Sequence, residues 1–163
     1  MRIPPVEDDQ RTASFIVKGL KQEWGNAYDL FLTLAEDRGL DVRIQVPEDS
    51  LYVPCKISDI QRVVANLIDN AIKLTPEGGL VSIYAGSING NALITVTDTG
   101  IGISGEDLPR IFERFYRGEK TRTTPGNRLG LSLAKAIVES YGRKTSVDST
   151  ANKGRTFTVH IPM

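Results

Sequence analysis

The stretch that most constrains the fold is Ala92 to Ile103, where an alternating run rich in β-branched residues meets Asp98-Thr99-Gly100-Ile101-Gly102-Ile103. Alternation with Ile94, Thr95, Val96 and Thr97 suits a pleated strand with one covered face. The run has to stop at Asp98, because glycines spaced by one residue let the backbone take positive φ and pass close to a neighbour. A carboxylate at such a strand end can read a polar ligand edge, and a plain turn is the competing reading of the same residues. Leu80 to Ala85 alternates in the same way, so Asn89-Gly90-Asn91 between the two runs predicts a hairpin.

The remaining elements arrange themselves around that hairpin. Residues 1 to about 13, with Pro4-Pro5 and a charged stretch, read as a linker or the tail of a preceding segment, and residues 14–163 as one domain. Leu20, Trp24, Ala27, Phe31 and Leu34 recur at helical spacing up to Gly39. Val42 to Val46 alternates as a strand that stops at Pro47, and a helix spans about Ser58 to Leu74 before Pro76-Glu77-Gly78-Gly79. Ser104 can cap a short helical turn with Asp107 three residues on. Leu129 to Tyr141 is an apolar helix closed by Gly142, and Thr145 to Ser149 with Thr156 to Ile161 gives a second strand pair. The expected fold class is an α/β sandwich (α+β): a mixed, mostly antiparallel sheet with helices on one face.

Composition excludes several function classes. The 20 basic and 20 acidic residues cancel, so overall charge calls for no nucleic-acid or membrane-surface partner. The single cysteine, Cys55, cannot form an internal disulfide and reads as an ordinary small residue. No apolar run reaches the ~18 residues of a membrane span, and Met1 to Pro5 lacks a signal-peptide core. The expected location is cytoplasmic, and the expected state of the isolated domain is a monomer.

Asn66, Asn70 and Lys73 stand at i, i+4 and i+7, one narrow stripe on a helix otherwise covered by Val63, Val64, Leu67, Ile68, Ala71 and Ile72. A solvated face is the plain alternative, yet asparagine is a mediocre helix former to find twice in one line. An amide oxygen from Asn70 suits Mg²⁺ shared with phosphates, and Lys73 suits phosphate as a point charge. Further on lie Ile111-Phe112-Glu113-Arg114-Phe115-Tyr116-Arg117-Gly118 and Gly126-Asn127-Arg128-Leu129-Gly130-Leu131.

Taken in order, Asn66 to Lys73, Asp98 to Gly102, Ile111 to Gly118 and Gly126 to Leu131 resemble the N, G1, F and G2 boxes of the ATP-binding catalytic domain of bacterial two-component sensor histidine kinases. The resemblance runs from about Phe15 to the end and implies a Bergerat-type ATP-binding fold. It implies that Asn70 ligates Mg²⁺, that Lys73 contacts phosphate, that Arg114 reaches the phosphates or docks the domain against the phosphoacceptor helix, that Asn66 assists, and that Asp98 accepts a hydrogen bond from the adenine amino group. Gly100, Gly102, Ile103 and Phe115 would line the ATP site, and Gly126, Leu129, Gly130 and Leu131 would close its phosphate end, with residues 119–124 as a lid. The γ-phosphate would go to a histidine on a separate dimerisation domain of the same sensor, and from there to a response regulator. The only histidine, His160, matches no motif and reads as structural. Two positions depart from the family pattern: Arg128 replaces the middle glycine of the G2 box, and Leu74 stands where an aromatic is common.

Three other functions compete. Gyrase-type ATP hydrolases carry a water-activating glutamate where Asn66 stands, and an amide cannot take a proton. A stand-alone anti-sigma serine kinase has this fold at this size, but Phe112-Glu113-Arg114-Phe115 favours the sensor kinase. A degenerate module that binds a partner without turning over ATP is suggested only by Arg128.

Overall fold

The computed structural model describes residues 25–45, 55–113, 130–150 and 152–162. The expected linker at 1–13, the residues Leu20 and Trp24, and the site candidates Arg114, Phe115, Gly126 and Leu129 lie outside those ranges, as do Arg128 and the lid at 119–124. Among the described residues, three helices and five strands follow in the order α1 (Gly25–Asp37), β1 (Asp41–Gln45), α2 (Ile57–Leu74), β2 (Leu80–Ile88), β3 (Asn91–Asp98), α3 (Gly130–Ser140), β4 (Lys144–Thr150) and β5 (Gly154–Pro162), with one tight turn of helix at Leu108–Arg110 after β3.

The sheet runs β1-β2-β3-β5-β4, with β1 parallel to β2 and every other pair antiparallel. The β2–β3 hairpin is longer than its alternating cores suggest, because pairing continues to Ile88 opposite Asn91. Asn89 and Gly90, at φ of 52° and 79°, make the two-residue turn whose twist matches the strands.

One face of the sheet is covered. Val81, Ile83 and Ala85 of β2, Ala92, Ile94 and Val96 of β3, and Phe157 and Val159 of β5 are buried with Ile60, Val63, Val64, Leu67, Ile68, Ala71 and Ile72 of α2 and Ala134 and Val138 of α3. Helix α2 therefore lies across the central strands with its apolar face inward and its polar stripe turned along the sheet toward the end of β3. The opposite face carries Thr95 against Thr158 and Thr97 against Thr156, hydroxyl to hydroxyl. Thr156 thus faces away from the helix layer. His160 shares its proton network with Ser146, Nε2 to Oγ at 3.2 Å, which is a structural use.

Helix α1 differs from its sequence reading in one respect. Leu34 was expected inside with Phe31, but Leu30 and Leu34 are exposed while Ala35 is buried and Phe31 packs on the core. Apolar residues lie on two adjacent stripes of this helix, and docking against α2 and β1 selects the Phe31–Ala35 stripe. The C-terminus of α2 is tied down from a distance: Arg38 Nη2 donates to the carbonyls of Lys73 and Thr75, and the buried Thr75 hydroxyl donates to the Ala71 carbonyl at 2.6 Å.

Candidate functional site

Asp98 continues the inward alternation of β3 beyond Val96, so its carboxylate enters the helix-covered layer at the strand end. Its side chain is 1% exposed. Oδ1 accepts the Gly100 amide N–H at 2.9 Å, which bends the chain out of the strand. A Cβ on Gly100 would lie 2.5 Å from the Leu74 carbonyl oxygen, so only glycine lets this loop run against the end of α2. Gly102 sits at φ +69°, the left-handed region that a side chain resists.

The loop is held from its other side by the β4–β5 turn. The Ile103 N–H donates to Ser149 Oγ at 2.7 Å, Ser149 Oγ donates to the Gly154 carbonyl, and the Asn152 N–H donates to the Ile101 carbonyl. Ile103 itself packs on the core, as does Leu131. This anchoring uses the one backbone donor of Ile103, so its place in the site is to shape the loop.

Across from this loop runs the polar stripe of α2. Asn66 and Asn70 each have a buried side-chain Nδ2 without a hydrogen-bond partner. Buried amides are nearly always paired in protein interiors, so these two on one stripe are open to a polar partner. Oxygen and nitrogen exchange places when such an amide turns over, so the same position can offer an acceptor oxygen to a cation. Gly130, the first residue of α3, stands beside Asn66: a Cβ there would sit 3.7 Å from Asn66 Oδ1. The start of α3, a helix end suited to an anion, thereby meets the asparagine stripe. Lys73 is engaged elsewhere, its Nζ 2.8 Å from Asp69 Oδ2, but both side chains are more than 40% exposed and such a pair is worth only ~0.2–0.5 kcal/mol.

The structure thus brings Asn66, Asn70, Asp98, Gly100, Gly102 and Gly130 to one end of the sandwich, with Lys73 one turn further along α2. Among the described residues no group of three or more His, Cys, Asp or Glu could hold a metal ion. A metal here would need amide oxygen and ligand phosphates, which the two asparagines fit. Phe112 packs edge-to-face on Phe157 with ring centroids 6.1 Å apart and lies under Lys135 Nζ, so it serves the core.

One residue escapes sequence reasoning. Arg155 pairs with Asp98 across β3 and β5 and is buried. Its Nε donates to Asp98 Oδ2 at 2.9 Å, Nη2 is ion-paired with the same oxygen at 2.8 Å, and Nη2 donates to the Asn70 carbonyl at 3.3 Å. Its guanidinium lies 5.4 Å from the centre of the Phe157 ring. The signal was present in β5, where Arg155, Phe157 and Val159 occupy alternate, inward positions and the arginine is the polar member.

With that geometry in view, residues 55–163 match the family described as Histidine kinase-, DNA gyrase B-, and HSP90-like ATPase, and the chain belongs to that family. Among curated relatives, the chain is 39% identical over 135 residues to the sensor histidine kinase RppB of Synechocystis, covering 82% of this chain and 30% of that protein. It is 40% identical over 121 residues to the sensor histidine kinase WalK of Bacillus subtilis, covering 72% of this chain and 20% of that one. The chain therefore spans less than a third of the length of these relatives. The structure superposes on the mycobacterial sensor histidine kinase MprB with a TM-score of 0.71 at 30% identity, over 82% of this chain and 91% of the other. Against the catalytic domain of histidine kinase ThkA the TM-score is 0.73 at 27% identity, over 88% and 93%. These neighbours fit the α/β, Bergerat-type sandwich expected from the sequence. No helix among the described residues is long and apolar enough to cross a membrane.

Proposed function

We propose that this chain is the ATP-binding catalytic domain of a two-component sensor histidine kinase, which holds Mg²⁺-ATP and presents its γ-phosphate to a histidine on a separate dimerisation domain. A response regulator would then take the phosphoryl group. The observation that carries this reading is the meeting of two orphaned asparagine amides, a strand-end carboxylate and the start of α3 at one end of the sandwich.

When bound, Mg²⁺-ATP supplies the phosphoryl group together with a cation that offsets its charge. Asn70 would give the metal an amide oxygen, with Asn66 beside it on the stripe. Lys73 leaves Asp69 at small cost and swings to phosphate as a point charge. The first amides of α3 face the phosphate end, and Asp98 Oδ1 accepts from the adenine amino group. Arg114, Phe115, Gly126 and Leu129, outside the described residues, keep their proposed contacts with nucleotide. Asn66 has no basic group to activate water, which favours phosphotransfer over hydrolysis. His160, inside β5 and bonded to Ser146, is badly placed to receive phosphate.

The test is calorimetric titration of ATP with and without Mg²⁺ into the wild-type chain and Asn70→Ala. Micromolar binding that depends on Mg²⁺, with the dependence lost in Asn70→Ala, is the expected result. A folded sample that binds no nucleotide at millimolar concentration would refute the reading.

A further inference from the structure

Asp98 is not a free carboxylate. A carboxylate offers about four acceptor directions: the Gly100 N–H takes one on Oδ1, and on Oδ2 Arg155 Nε donates while Nη2 stands 2.8 Å away as an ion-pair partner, so the guanidinium covers that oxygen. A single acceptor position, on Oδ1, remains for a ligand. The same guanidinium donates to the carbonyl of Asn70, the residue whose side chain faces the proposed metal. It also lies over the Phe157 ring, 5.4 Å from its centre, so it cannot leave Asp98 without abandoning all of these contacts.

We propose that Arg155 is the specificity-determining positioning residue of the nucleotide site, fixing Asp98 so that it can accept only one donor and strapping that carboxylate to the backbone of Asn70. This rests on the proposed nucleotide-binding function. An amino group at position 6 of a purine satisfies the remaining acceptor. A carbonyl oxygen at that position sets acceptor against acceptor, and a carboxylate clamped at Oδ2 cannot turn away to relieve the conflict. Arg155 therefore enforces adenine over guanine without touching the base. Through Asn70 it also holds the metal-facing turn of α2 in register with the base-reading end.

Arg155→Lys tests this. It keeps the positive charge, and so the balance of the buried pair, but an ammonium cannot cover Oδ2 with a planar guanidinium edge while bridging to the Asn70 carbonyl. Binding of ATP and GTP is measured by calorimetry at several Mg²⁺ concentrations, with thermal melts of the same samples. The ATP-over-GTP preference is expected to fall at least tenfold, and ATP binding to lose part of its Mg²⁺ dependence. A role confined to folding would lower only the melting temperature, so a preference within twofold of wild type overturns the inference. If Arg155→Lys is unstable, Arg155→Gln, which leaves Asp98 untouched and offers an amide in place of the guanidinium, must likewise lose the preference. Wild-type protein that binds neither nucleotide overturns the proposed function and this inference together; wild-type binding with unchanged selectivity in the variants overturns this inference alone.

Discussion

Breaking the Asp98–Arg155 pair from either side should cost far more than removing it whole. Both side chains are at most 3% exposed, and the pair is joined by a hydrogen bond from Nε and an ion-pair contact from Nη2 to one oxygen. Asp98→Asn leaves a guanidinium in the interior without its counter-charge, and Arg155→Met leaves a carboxylate there. Each single change is expected to cost ~3–5 kcal/mol, the usual penalty for stranding a buried ion. Asp98→Asn with Arg155→Met takes both charges out, keeps an oxygen to accept from the Gly100 N–H, and fills the arginine's space with an apolar chain. It should cost less than either single variant, giving a coupling energy of at least ~3–5 kcal/mol. Equilibrium urea unfolding reads this directly. With an m value on the order of 2 kcal/mol/M, each single variant lowers the midpoint by roughly 1.5–2.5 M and the double variant restores most of it. Single losses below ~1 kcal/mol that simply add in the double variant would refute the claim that this is a coupled, buried pair. The same physics makes Asp98→Asn a poor isolated probe of base recognition, because lost nucleotide binding would be mixed with lost fold.

Three further outcomes are expected. Gly100→Ala drives a Cβ to 2.5 Å from the Leu74 carbonyl oxygen, so the loop must shift; stability should fall by ~1–3 kcal/mol in a thermal melt and ATP affinity at least tenfold by calorimetry. Lys73→Ala should weaken ATP binding about tenfold, whereas Asp69→Ala, which frees Lys73 from an exposed pair, should change stability by less than ~0.5 kcal/mol and leave affinity equal or slightly higher. Burial, reinforced by the hydrogen bond it donates to Asp59, pushes the Tyr141 hydroxyl up to about 12 from its ordinary 10.0. The folded state therefore holds this proton more tightly than the unfolded one; the resulting stability is complete below pH 10, falls as pH rises from 10 to about 12, and that fall should be smaller in Tyr141→Phe when urea midpoints are compared.

Much of the architecture was legible because local chemistry and global packing agree. The alternation of β3, the Asn89-Gly90 turn and the wide apolar face of α2 each point to one conformation, and the fold uses all three. The convergence of Asn66, Asn70, Asp98 and Gly130 was legible only through motif order, since nothing within any one segment says that α2, the end of β3 and the start of α3 meet. Two features depend on tertiary contact alone. Leu34 and Ala35 are both plausible inward residues until α1 docks and leaves Leu34 exposed. Arg155 looks like a strand-edge cation until β5 registers on β3 and sets it opposite a residue 57 positions away.

The most direct measurement is an amide chemical-shift titration of the ¹⁵N-labelled chain with Mg²⁺-ATP. The account predicts saturable shifts concentrated at Asn66 to Lys73, Asp98 to Ile103 and Gly130 to Leu131, with the Arg155 side-chain signal moving alongside Asp98. Shifts confined to other surfaces, or none at millimolar nucleotide in a folded sample, would contradict it.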